Sequence, residues 1–426
     1  MNKTMKKMYS SKRVPRSLLL GGVFVGSAAA ALAQSTNALE QQNMDLQARV
    51  TALEDLVKKE GLMPSGDTPA PKLVTAVSQM TISGFVQASY FYNLQRPAGG
   101  YSAGYLWDTK NNNFSINKVK LTFASPPAER SDTDWTAGYR VSLMAGEDAP
   151  ILNSDASTTG FDYLREAYVE VNAPIGTGLN IKAGELISLL NWESGDGGAA
   201  NPNFSQGYQW YYTGNGPSAG VQLDYAFTSW LDLQFRVDNG LYGGPEDAQT
   251  GKGVMGSLNL KPIKDLWVNI VGFGGASGNG PSDTDGGSVL GGYQITPELG
   301  TGFEYDYFDF LPDGGGGGHL WSIGGRIWYD FTPKVDVCFR AEYLDDPEGA
   351  GIKGVGVGGP AADTAIGIDS PDASGDLESF TLTLNLKPTP SLKIQPEIRY
   401  NHTSYSGGFN GKENQLIIGA GASYLF

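Results

Sequence analysis

The sequence predicts an all-β protein: a transmembrane antiparallel β-barrel of sixteen strands, preceded by a short periplasmic coiled-coil helix. Three observations predict it. From Met80 onward apolar and polar residues alternate with a period of two, as in a strand with one oily and one wet face. The connections between these segments are alternately short and long, as when only one end of a barrel meets the outside world. The apolar faces end in aromatics, which favour the two lipid interfaces.

Composition narrows the alternatives. Of 426 residues 59 are glycine, about twice ordinary usage, and only 18% are charged. Mean hydropathy is −0.25 and no apolar run reaches the length of a membrane-spanning helix, which excludes a helical membrane protein. One cysteine, Cys338, excludes a disulfide framework or a cysteine-clustered metal site. Two histidines, His319 and His402, leave little for imidazole chemistry. With 30 basic against 45 acidic residues the chain is not built for nucleic acid. No cofactor and no metal is implied.

Residues 1–33 read as a secretory signal. Lys3, Lys6, Lys7, Lys12, Arg13 and Arg16 form a basic region, an apolar stretch follows from Leu18, and Ala31-Leu32-Ala33 supplies the small-x-small cleavage pattern. Cleavage removes six basic residues and no acid, leaving a net charge of −21.

Residues 34–61 carry a heptad seam of Leu39, Asn43, Leu46, Val50, Leu53 and Val57. Asn43 at an a position fixes register at a cost in stability. Three heptads are marginal alone, so this helix associates where something else holds the chains together. Valine at a and leucine at d lean toward two strands, whereas a resemblance to sixteen-stranded outer-membrane barrels implies three; the trimer is the expectation here, since barrel contacts outweigh three marginal heptads. Residues 62–78, with Pro64, Gly66, Pro69 and Pro71, form a linker.

Residues 79–426 form the barrel, its strands expected near 80–94, 113–124, 135–146, 162–173, 179–187, 218–227, 230–239, 254–261, 266–274, 288–296, 299–310, 320–331, 335–344, 377–387, 392–402 and 414–426. Leu231, Leu233, Phe235 and Val237 alternate with Asp232, Gln234, Arg236 and Asp238; Val335, Val337, Phe339 and Ala341 alternate with Asp336, Cys338, Arg340 and Glu342. Phe227, Trp230, Phe331, Tyr424 and Phe426 mark the short-turn end, and Tyr90, Tyr92, Tyr307 and Tyr400 the long-loop end. The expected surroundings are outer-membrane lipid and lipopolysaccharide, in a bacterial outer membrane. Residues 36–60 could reach the cell wall or a periplasmic partner.

A barrel of this size encloses water rather than a packed core. The strand phases aim Lys118, Lys120, Arg140, Lys182, Arg236, Arg326, Arg340, Lys393 and Arg399 at the lumen, with Glu166, Glu170, Asp224, Glu304, Glu342 and Glu397 among them. The long 188–217 connection carries Trp192, Glu193, Asp196 and Tyr208. A loop of this length is functional or disordered. Its place between the fifth and sixth strands resembles that of the loop which folds inward as the constriction in general porins, and this resemblance implies the same here, with Glu193 and Asp196 facing the basic wall. The acidic mature charge leans toward cation preference.

Several segments resemble the β-barrel porin-2, OmpL-like family: Gly84-Phe85-Val86, Ser89-Tyr90-Phe91-Tyr92-Asn93, Asn113-Phe114-Ser115-Ile116-Asn117, Leu164-Arg165-Glu166-Ala167-Tyr168-Val169, and Asn203-Phe204-Ser205 with Gly207-Tyr208. The match runs from about 82 to 225 and weakens beyond. The family's basic-aromatic pair after the fifth-strand glycine is replaced here by Glu185-Leu186. The resemblance implies an outer-membrane porin passing small hydrophilic solutes and ions, with a substrate-selective channel or a structural anchor as alternatives. Enzymatic activity is not implied: His402 near Ser404 is an unspecific pairing, and Gly354–Gly359 lacks the strand and helix of a nucleotide loop.

Overall fold

The computed structural model describes residues 79–426 except 105–107, 154–161, 215, 242, 246–250, 278–281, 313–315, 353–367 and 369. The expected signal, heptad helix, linker and Gly354–Gly359 lie outside the described residues. Sixteen antiparallel strands close on themselves. They are β1 (Thr81–Asn93), β2 (Asn113–Ala124), β3 (Thr136–Ala145), β4 (Leu164–Ala173), β5 (Leu179–Leu186), β6 (Ser218–Ala226), β7 (Leu231–Asp238) and β8 (Gly253–Ile263). They continue as β9 (Leu266–Gly275), β10 (Ser282–Gln294), β11 (Leu299–Pro312), β12 (Gly318–Thr332), β13 (Val335–Asp346), β14 (Gly375–Thr389), β15 (Leu392–Thr403) and β16 (Asn414–Leu425).

Each strand pairs with its sequence neighbours, and β1 pairs with β16 from Phe85↔Leu425 to Asn93↔Ile417, which leaves no free sheet edge. The count and the strand positions match the sequence pattern. One bound differs: β10 begins at Ser282 rather than near 288, so Asp283–Gly286 is strand. That segment is glycine- and aspartate-rich and carries no alternation of its own; the ladder to β11, from Ser282↔Pro312 onward, supplies the order.

Alternation decides what faces the lipid. Phe235, Val237, Leu382, Leu384 and Ile398 are exposed on the outside, while Arg236, Thr381, Thr383 and Arg399 are buried within. The belt residues Phe227, Trp230, Phe331, Tyr424 and Phe426 are all exposed at the short-turn end. There the turns are closed by threonine: Thr228 Oγ1 accepts the Leu231 N–H and Thr296 Oγ1 the Leu299 N–H, both at 3.1 Å. The pairing of β1 with β2 shifts register between Gln87 and Ala88, and both Asn117 and Lys118 point inward and are buried.

Candidate functional site

The connection from β5 to β6, residues 187–217, lies against the inner wall. It contains one 3-10 turn, Gly197–Ala199, and a short helix, α2 (Tyr208–Tyr212), while α1 (Ala149–Leu152) belongs to the β3–β4 connection. An irregular segment buried among side chains has backbone groups that water cannot reach, so the wall must satisfy them. Wall carboxylates do so. Glu397 Oε2 accepts the N–H groups of Phe204 at 2.9 Å and Ser205 at 3.4 Å. Glu342 accepts the Gln209 N–H at 3.1 Å, and Glu304 the Trp192 N–H at 3.2 Å. Lys393 works in the other sense, donating to the carbonyls of Gly198 at 2.9 Å and Asn201 at 2.5 Å.

Arg340 of β13 is the centre of the attachment. Its Nη1 donates to Glu193 Oε1 at 2.6 Å and to the Ser205 carbonyl at 2.8 Å, Nη2 donates to Thr381 at 3.1 Å, and Nε lies 3.1 Å from Glu342. Glu193 also accepts the Gly207 N–H at 2.7 Å. Burial pushes the Glu193 carboxyl up, but Arg340 and Arg326 outweigh it and hold the group below the usual carboxylate range. Farther along the loop Asp196 pairs with Lys120 at 2.8 Å. Two aromatics lie under guanidinium groups: Trp192 is 4.1 Å from Arg326 and Tyr208 is 4.7 Å from Arg399. Phe204 stacks on Phe91 of β1 with centroids 5.7 Å apart.

The wall residues expected at the lumen therefore divide. Lys118, Arg326, Arg340 and Arg399 are buried beneath or beside the loop, and Lys118 bridges Asp148 at 3.1 Å and Gln206 at 3.2 Å. Arg236 is buried at the loop's start, donating to the Ile187 carbonyl at 2.8 Å. Arg140 and Lys182 stand apart from the loop's attachment, half-buried on β3 and β5, and Arg140 Nε reaches Glu166 at 2.5 Å. Glu193 and Asp196 meet basic partners from β13 and β2. Glu185 is buried within electrostatic reach of Arg165 and Arg236.

Sequence reasoning missed Asp306, which accepts from Ser288 at 2.6 Å, Thr213 at 2.8 Å, Ser322 at 2.8 Å and Gln209 at 3.2 Å. Its place two residues after Glu304 on β11 was the available signal. Also missed was the seal at the long-loop end, where Phe308, Leu320, Leu344, Ile352, Tyr405 and Phe409 pack together. Asp346 holds it by accepting the Ile352 N–H at 2.7 Å and the Tyr405 hydroxyl at 3.1 Å. The half-buried inward residues lie mainly on the other side, on β3 to β9, among them Arg140, Tyr168, Lys182, Gln234, Asn259 and Asn269.

A family profile described as "Putative beta-barrel porin-2, OmpL-like" matches residues 79–426, the whole barrel. The chain belongs to this porin family. Its place is the bacterial outer membrane, and its fold is shared widely there. Porin OprB of Pseudomonas putida superposes with a TM-score of 0.55 at 12% identity, covering 83% of this chain and 96% of that one. The anion-selective porin from Comamonas acidovorans gives 0.52 at 11% identity, over 82% and 99%. OmpT of Vibrio cholerae, in a trimer form, gives 0.51 at 12% identity, over 82% and 99%. Among curated proteins no sequence matches. His402 of this porin meets Asn414 at 2.9 Å, and the Ser404 hydroxyl accepts the Asp376 N–H at 2.8 Å, so neither contact joins the two residues as base and nucleophile.

Proposed function

We propose that this porin passes small hydrophilic solutes and ions by passive diffusion, through the part of the lumen left open by the inward loop. One observation carries the reading. The loop is bonded to β11 through β2, whereas on β3 to β9 several inward polar side chains, Arg140, Tyr168, Lys182, Gln234, Asn259 and Asn269, keep partial access to solvent. A solute then moves between the β3–β9 wall and the loop's outer face, which presents Asp196, Trp210 and Tyr211. Charged groups on both sides set a field across that passage, favouring polar solutes over apolar ones. Basic wall residues beneath the loop fix its position, and Arg140 and Lys182 act on the solute.

In the assembly, three copies associate through their barrels, as the trimer form of Vibrio OmpT illustrates for a related fold, and residues 39–57 add a weak coiled-coil tie. Lipid and lipopolysaccharide cover the outer wall. The test is conductance of the purified, refolded protein in a planar bilayer. Stepwise ohmic openings grouped in threes are expected. A folded protein that never opens would overturn the channel reading and leave a structural anchor acting through residues 36–60.

A further inference from the structure

In the open half of the lumen, acids and bases are not presented equally. Arg140 is bonded to Glu166, yet its side chain is 38% exposed and that of Glu166 only 5%. Lys182 faces Asp224 at 3.7 Å, with 27% and 7% exposed. The carboxylates have further partners behind them: Glu166 accepts the Ser142 hydroxyl at 2.8 Å, and Asp224 the Gln222 amide at 2.8 Å. Toward the short-turn end Arg130 and Asp232 of β7 are both partly exposed, at 34% and 27%, so the asymmetry is confined to the neighbourhood of Arg140 and Lys182. The surface a permeating solute meets around Arg140 and Lys182 is thus basic, although the whole chain carries −15.

The two cations also share a neighbour. Arg140 stands directly across β3 and β4 from Tyr168, and Lys182 of β5 holds its Nζ 5.6 Å from the centre of the same ring. The bond to Glu166 uses Nε of Arg140, and among the described residues none bonds its two Nη groups. A guanidinium fork offered edge-on to water suits a carboxylate. An ammonium and a half-buried aromatic face beside it suit a flat organic anion.

We infer that Arg140, Tyr168 and Lys182 form an anion site on the lumen wall, which makes this porin prefer anions and retain small aromatic carboxylates in passing. The nearby acids Glu170 and Asp196 weaken the field without reversing it, since Glu170 is turned to the Ala128 N–H at 2.9 Å and Asp196 to Lys120. Low-dielectric walls focus what remains on the solute. The inference rests on the porin reading, and opposes the preference that net charge alone implies.

The experiment is the reversal potential of the full-length porin in a planar bilayer under a KCl gradient, with benzoate or uncharged benzamide then added to one side. The wild type should favour chloride over potassium. The double variant Arg140→Gln with Lys182→Gln should lose at least about a three-fold share of that ratio. Benzoate should reduce the wild-type current in a saturable way, benzamide should not, and the variant should lose the difference. A cation-selective wild type, a ratio unchanged in the variant, or benzoate acting alike on both would overturn the site. Heat-modifiable migration on a gel verifies that each barrel is folded. Lys182→Gln alone is the fallback, since its ion pair is long and partly exposed. Absence of any openings would instead fail the porin reading, and this inference with it.

Discussion

Arg340→Met tests the attachment of the loop at its most connected point. Methionine keeps the length and buries readily but removes the charge and every donor. In the wild type the guanidinium and Glu193 are both fully buried at 2.6 Å, and Glu342 lies 3.1 Å away. After the change both acids remain with their backbone donors, the Gly207 and Gln209 N–H groups, but without their arginine. Removing one partner of a buried pair costs about 3–5 kcal/mol. At about 1.4 kcal/mol per decade, that multiplies the detached fraction of the loop by roughly a hundred to a few thousand. Asp196, Glu304 and Glu397 still hold the loop, so detachment should show as frequent transitions to a larger conductance rather than as a permanently wider pore. Single-channel recording reads this directly, and the temperature of heat-modified migration should fall. Adding Glu193→Gln to Arg340→Met should recover part of the loss, because the stranded charge is gone. Noise-free openings of wild-type size with unchanged thermal behaviour would refute the claim that this pair seats the loop.

Three further perturbations act on other parts of the structure. Gly421 on β16 faces the loop so closely that a Cβ would stand 2.0 Å from the Phe204 ring; Gly421→Val should expel Phe204 from its stack on Phe91 and enlarge the conductance while the barrel still closes. Asp108, in an outer loop, has its carboxyl pushed well above the usual range by burial and by Asp148, whose own carboxyl burial also raises against the pull of Lys118. A raised acid contributes stability that is fully present below its ordinary pKa and lost as pH rises through the shifted value. Asp108→Asn should therefore flatten the pH dependence of thermal stability and raise stability at neutral pH by about 1 kcal/mol, aided by a backbone φ of 52° that asparagine tolerates; a destabilised variant at pH 7 would count against this. Deleting residues 34–72 should leave single-channel conductance unchanged while loosening the proposed trimer in detergent; a changed conductance would mean that this segment touches the pore.

Much of the barrel was legible because a wall with lipid on one side and water on the other forces a two-residue period on every strand. Val335 to Glu342 shows it in plain letters. Where the period fails, so does the reading: Ser282 to Gly287 pairs with β11 through its backbone, and glycine and aspartate do not announce that. Alternation also cannot yield Asn117 and Lys118 facing the same way, which takes the displaced register beside them. The long 188–217 connection was visible as a loop with something to do, and Glu193 and Asp196 could be matched to basic residues by charge. What the letters could not distinguish was an inward acid facing water, as expected for Glu304, Glu342 and Glu397, from one accepting a backbone N–H.

That distinction explains why net charge is a poor guide to this pore. A chain segment buried in a lumen brings N–H groups that need acceptors, and a carboxylate is the strongest acceptor a wall can offer. The β11–β15 side supplies four, Glu304, Asp306, Glu342 and Glu397, and each is turned into the loop or its supports rather than toward the passage. Arginines 326, 340 and 399 balance them there, so that half of the lumen is close to neutral from the outside. On β3 to β5, Glu170 accepts the Ala128 N–H of the β2–β3 connection, while Arg140 and Lys182 pair with wall acids rather than with the 187–217 loop. The acids there sit behind Arg140 and Lys182, whose longer side chains carry the charge forward into the water. Seating the loop and setting ion preference thus fall to opposite walls, and a substitution on one should leave the readout of the other unchanged.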